Sequence, residues 1–327
     1  MATLAEIRAK LQALDNKTNN NFTSDRANYP FWNLQDGETC KVRFLPDGNE
    51  ENTFFWVERQ QIKIPFSGIK GDDENKKVTV TVPCVEMWGE TCPVHQEIRP
   101  WFKDPSLEDT ARTYWKKRSY IFQGIVQESP MAEEEVPENP IRKFIIGSQI
   151  FKLIKSSLMD PDFEYLPTDY INGTDFLIAR STKGSYADYS TSKWARRESA
   201  LTEQQLQDIE THGLVDLTTY LPEKPNAEQL TAIFEMFEAS VAGELYDPER
   251  WAKYYKPYGF EYKGSANAAP PAENKPSVTV GTNTVRQQDE VQAEADDSAN
   301  EPVSTASASS TTGKSAQEIL EMIRNRK

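Results

Sequence analysis

Cys84, Cys92 and His95 stand in the pattern Cys-x7-Cys-x2-His, a spacing suited to holding a metal ion. Two thiolates and an imidazole match tetrahedral Zn²⁺, and the tight Cys-Pro-Val-His knuckle can place two ligands on one ion. Two buried cysteines beside a surface histidine would spell the same pattern. A structural site also needs a fourth donor, for which His212, Cys40, an acidic side chain and water all stay open. The expectation is one structural zinc per chain on Cys84, Cys92 and His95.

Two other stretches mix cations with rings. One follows Arg180 and carries Lys183, Tyr186, Tyr189, Lys193, Trp194, Arg196 and Arg197. Lys and Arg can track a phosphate backbone, and each ring can stack an unpaired base for about 1–3 kcal/mol. Stacking accepts any base, so the combination points to sequence-tolerant contact with a single strand. The alternative is a solvated loop whose rings belong to the core. The second stretch, Tyr114 to Tyr120, brings Lys116, Lys117, Arg118 and Tyr120 together at the start of a predicted strand. Its alternative is an edge strand protected by lysines. No P-loop, Gly-x-Ser-x-Gly, His-Glu-x-x-His or dinucleotide fingerprint is present. With 2 histidines there are few general acid–base candidates, so a binding protein is expected rather than an enzyme.

The net charge of −14 argues at first against a polyanionic partner. Charge position matters more than the sum, because a binding surface feels the local field. Residues 200–262 hold twelve acids against four bases, whereas residues 178–197 hold five bases against Asp188 alone. The chain is acidic, yet one short stretch is strongly basic. Three cysteines cannot all pair within one chain, which fits a reducing cytoplasm. No apolar run is long enough to span a bilayer, and Glu6, Arg8 and Lys10 occupy the place of a signal peptide's apolar stretch.

These groups need elements to position them. Residues 1–15 read as an amphipathic helix, with a Thr3–Glu6 capping box and a stripe of Leu4, Ile7, Leu11 and Leu14. Strand-like signals run from Phe31 to about Val126, the clearest at Cys40 to Leu45, Phe54 to Phe66, Val78 to Val82 and Ser119 to Val126, with a hairpin loop at 71–75. After an acidic, proline-bearing loop at 128–140 and a strand at Phe144 to Ile146, a helix presents Ile150, Phe151, Ile154 and Leu158. Thr174 to Ala179 is a further strand. Helices are expected from the Thr202–Gln205 capping box to Gly213, and from Asn226 through Val241. Beyond about Tyr262, residues 263–314 contain no aromatic side chain and cannot bury a core. A short terminal motif with Ala316, Ile319, Leu320 and Ile323 closes the chain.

Taken together, this is a mainly β fold with α additions, read as a β-barrel. Its parts are an arm at 1–22, a core at 23–262 with a metal-bearing subdomain at about 54–102, and a disordered tail at 263–327 ending in a short helix.

The order of these parts resembles the single-stranded DNA-binding proteins of T-even bacteriophages, over roughly residues 1–260. Val42-Arg43-Phe44-Leu45-Pro46 resembles that family's early strand, and Cys84 with Cys92-Pro93-Val94-His95 stands in the place of its zinc knuckle. Lys117-Arg118-Ser119-Tyr120 resembles its basic patch with a DNA-facing tyrosine. Asp188-Tyr189-Ser190 through Lys193-Trp194 resembles the stretch beside its DNA groove, with Tyr186 near the aromatic before it.

The resemblance implies an OB-fold core, structural zinc, and cooperative coating of single-stranded DNA during replication, recombination and repair. It also implies self-association through the N-terminal arm, recruitment of phage replication and recombination proteins by the C-terminal tail, and location in the cytoplasm of an infected bacterium. The chain departs from the family in three places. Gln60 stands near the family's upstream histidine, His95 replaces the knuckle's last cysteine, and both ends are less charged. A phage structural or scaffold protein and an RNA-binding regulator are the competing classes.

Overall fold

Apolar residues spaced two apart become strands for a simple reason: a side-chain period of two puts them together on one face. The computed structural model describes residues 27–133, 136–161 and 164–260. The expected arm, tail and terminal motif lie outside the described residues. The strands are β1 Thr39–Phe44, β2 Val57–Phe66, β3 Val78–Pro83, β4 Lys117–Glu128, β5 Ile141–Gly147, β6 Phe176–Ala179, β7 Ser181–Lys183, β8 Tyr186–Asp188 and β9 Lys193–Trp194. The helices are α1 Pro93–Ile98, α2 Glu108–Tyr114, α3 Ser148–Leu158, α4 Glu203–His212, α5 Ala227–Val241 and α6 Pro248–Trp251. The fold is mixed α/β with a mostly antiparallel sheet.

The described chain divides into two compact units, each with its own apolar core. The first takes residues 27–57 and 120–220. In it β1 lies between β4 and β6, antiparallel to both, with β9 on the outer side of β6 and β5 paired to β4. At the Phe44↔Gly124 pair the two backbones close in: a Cβ on Gly124 would stand 2.4 Å from the Arg43 carbonyl oxygen. Only glycine fits there. Phe44, Phe122, Phe144, Phe176 and Trp194 meet across the core, with Phe44 and Phe122 centroids 4.7 Å apart.

The second unit takes residues 58–119 and 221–260. Its β2–β3 hairpin pairs Ile62 with Val82 and Ile64 with Val80, all buried. Helix α5 packs Ile233, Met236 and Phe237 into the same core. The expected Thr202–Gln205 capping box starts α4, and Asn226 with Gln229 forms a second one at the start of α5.

One broad expectation needs correction. Residues 85–114, inside the span read as strand-like, form 3-10 turns at Val85–Trp88 and Arg99–Lys103 together with α1 and α2. Pro93 and Pro100, each near the start of a helical segment, fix the helical φ instead.

Arg43, in the strand that resembles the family motif, is a structural residue. Its side chain is 1% exposed and its Nε lies 2.7 Å from Asp175 Oδ1, while Nη2 donates to the Ser199 carbonyl at 2.7 Å. Losing one partner of a buried pair strands the other charge, at a cost of about 3–5 kcal/mol. Arg43→Ala is therefore expected to destabilise the first unit by about that amount in denaturant melts. Lys is a poor substitute, because it lacks the planar fork. A change below about 1 kcal/mol would show the pair to be dispensable.

Candidate metal centre and nucleic-acid interface

The second unit brings the three predicted ligands together. Cys84 follows β3, and a 3-10 turn leads to Gly89, whose φ of 74° reverses the chain. Cys92 then stands at the N-cap of α1 with Pro93 at its first position, so His95 comes round one turn later. The Cys84 Sγ, Cys92 Sγ and one His95 ring nitrogen all lie within 4.8 Å of one another, and all three residues are buried. Cys84 Sγ lies 3.8 Å from His95 Nδ1. Ligands on one tetrahedral zinc, with bonds of about 2.0–2.3 Å, stand at about that separation.

The histidine is tightly held. Its ring stacks on Trp115 at 4.5 Å, and its Nε2 accepts the Lys116 backbone N–H at 3.1 Å. The neutral ring therefore carries its proton on Nδ1, which donates to Glu86 Oε1 at 3.0 Å. Glu86 Oε2 also takes the Lys116 ammonium at 2.6 Å. The His95 hydrogen bond, then Lys116, hold the Glu86 carboxyl down at about 2. The Cys84 hydrogen bond, with His95 beside it, holds the Cys92 thiol down at about 6. The Cys92 thiolate and burial push Cys84 up.

The donor set fits a thiophilic divalent ion: two sulfurs and one imidazole nitrogen converge in a buried site. A metal on Nδ1 would require the ring proton on Nε2, so binding would break the hydrogen bond to Glu86 and set two N–H donors, Nε2 and the Lys116 backbone, against each other. Glu86 partners the histidine and lies outside the group of three. Cys40 sits in the first unit's core, where burial pushes its thiol up to about 12. His212 ends the exposed face of α4. Gln60, at the place of the family's upstream histidine, accepts the Cys84 N–H at 3.0 Å through its carbonyl. Its side-chain Oε1 is buried without a hydrogen-bond partner among the described residues.

The Tyr114–Tyr120 cluster is engaged internally. Lys116 is buried against Glu86, Lys117 Nζ donates to the Arg112 carbonyl at 3.0 Å, and Arg118 Nε lies 3.6 Å from Glu58. Tyr120 is buried in the first unit with its ring flat on Phe151. The 180–197 stretch is divided by strand alternation. Tyr189 is buried edge-on to Phe31, and Trp194 packs edge-on to Phe176 at 4.9 Å. The expectation that Tyr120, Tyr189 and Trp194 offer open faces to bases is corrected: each ring does more by filling the core. Arg180 anchors the loop by donating to the Leu34 carbonyl.

What faces outward is Lys183, Tyr186, Lys193, Arg196 and Arg197. Tyr186 is 59% exposed and pairs with Lys183 across the two-residue β7–β8 turn, where Gly184 takes a φ of 66°. Asp188, the acid of this stretch, is tied to Ser190 and Gln149, and the Ser190 hydroxyl holds its carboxyl low. The first unit thus displays four cations and one ring from a single short segment.

Comparison of the chain with protein-family models and with curated proteins gave no match. Among the described residues, no helix is long and apolar enough to cross a membrane.

Sequence reasoning missed Glu86, and no local signal marks it among 51 acids. It also assigned Lys116 to a partner molecule when its contact is Glu86, thirty positions away. The exposed Phe54 was read only as strand. Its neighbours Asn49 and Asn52, turn-forming residues, were the available signal.

Proposed function

We propose that this protein binds single-stranded DNA without sequence specificity, in the manner of the T-even phage proteins it resembles. On this reading it is not an enzyme. The first unit carries an OB-type core, and Cys84, Cys92 and His95 hold a structural zinc. The arm at 1–22 mediates self-association along DNA, and the tail at 263–327 meets phage replication and recombination proteins in the host cytoplasm. The observation that carries the reading is the outward set Lys183, Tyr186, Lys193, Arg196 and Arg197. It stands on strands and turns pinned by the buried Tyr189 and Trp194. Cations that can track phosphates, a ring that can stack a base and a rigid support are the ingredients of a single-strand surface. In a chain of net charge −14, such a cluster marks the place where a polyanion can approach.

Titration with oligo-dT at two salt concentrations tests this directly. Intrinsic fluorescence should be quenched on binding, and log K should fall by about 0.7 per phosphate contact for each log unit of salt. A scaffold or capsid role predicts no such salt-dependent binding, and its absence at low salt would remove the reading.

A further inference from the structure

We propose that Phe54 and Trp56 form a second base-stacking platform, separate from the 180–197 segment. This rests on the single-strand reading above. Phe54 is 57% exposed, an unusual position for a ring that burial would stabilise by roughly 1.5–3 kcal/mol. It does not stand on a slack loop. The buried Asp47 accepts the backbone N–H of Leu217 at 2.8 Å and of Asn49 at 3.1 Å, and takes the Asn52 side-chain amide at 2.7 Å. Asn52 in turn accepts the Phe54 N–H at 3.0 Å and donates to the Trp56 carbonyl at 3.2 Å. The backbone of the turn that carries the exposed ring is therefore held from both sides.

The ring also has a base of its own. Phe54 lies 4.7 Å from Trp56 at 35°, and Trp56 stands edge-on to Phe55 at 4.9 Å and to Phe151 at 5.4 Å. Phe54 thus lies tilted over Trp56, which the core rings Phe55 and Phe151 hold edge-on, and leaves more than half of its own surface to solvent. A planar aromatic ligand can stack on the exposed Phe54 ring, and every nucleobase offers the required π-face. Lys155 is exposed one helical turn beyond Phe151, on the same side of α3. Glu50 and Glu51 precede the pair in the turn, so the contact depends on stacking and not on phosphate neutralisation.

Phe54→Ala should weaken oligo-dT binding by about 5- to 100-fold, with the salt slope unchanged and the melting temperature kept. Phe54→Trp should restore the affinity and add a fluorophore that DNA quenches beyond the wild-type signal. Unchanged affinity in Phe54→Ala, alongside normal wild-type binding, overturns the platform while the single-strand reading stands. Full recovery by Phe54→Leu would show that apolar bulk suffices, as for docking of a peptide, and overturns it too. Failure of the wild type to bind oligo-dT at all removes both.

Discussion

Protein purified without chelator is expected to carry one zinc ion per chain, and stripping it should lower the melting temperature of the second unit by about 10 °C or more. Zinc-finger peptides draw about 10–16 kcal/mol from metal binding and are unfolded without it, because they lack a core. This unit is different. Ile62, Ile64, Val80, Val82, Trp101, Phe237 and Trp251 already form a buried cluster around Cys84 and Cys92. Apolar burial should keep the metal-free unit folded at room temperature, so the metal adds to stability and does not create the fold. Part of the binding energy is also spent on the hydrogen bonds that His95 gives up to Glu86 and Lys116. A residual gain of several kcal/mol corresponds to about 4–8 °C for each kcal/mol in a domain of this size. Cys84→Ser and Cys92→Ser should each abolish stoichiometric zinc, measured by elemental analysis, and should melt like the stripped wild type. A metal-free preparation with the same melting temperature as one supplied with zinc would mean that the three side chains are only packed together.

Much of the architecture was legible because its signals are local. The alternation at Val78 to Val82 needs only one buried face, and the Thr202–Gln205 capping box is spelled within four residues, whereas at Cys40 to Leu45 the strand is found although Val42, Arg43 and Phe44 are all buried. The knuckle was legible for the same reason, since Cys92 and His95 sit one helical turn apart. What failed was long-range or directional. Lys116 turns inward because Glu86, on a different turn, offers a carboxylate 2.6 Å away. Tyr189 and Trp194 turn inward because Phe31, Phe44 and Phe176 leave room for them, and residue type cannot reveal that. Basic–aromatic runs identified the segment correctly as unusual. They could not say that its rings would serve the core and its cations the surface.

That division of labour yields a sharper test of the interface than any single substitution. Lys193→Ala, Arg196→Ala and Arg197→Ala combined should reduce the salt slope of single-strand binding by about two units, since each lost phosphate contact removes about 0.7. At physiological salt the affinity should fall by about 50-fold. Stability should be nearly unchanged, because all three side chains are exposed and such replacements usually stay within about 0.5 kcal/mol. Lys116→Ala makes the opposite case. Its ammonium is buried against Glu86, so its loss leaves the carboxylate beside His95 with only the longer, more exposed Arg99 contact at 3.4 Å. That variant should be destabilised while its salt slope stays at the wild-type value. Tyr189→Ala should also lose stability first, through the cavity left beside Phe31. Affinity and melting temperature measured on the same preparations separate the two groups. If the triple variant kept the wild-type slope while Lys116→Ala lowered it without loss of stability, the DNA would have to lie against the 114–120 cluster. The outward cations of 183–197 would then be only a solvated loop.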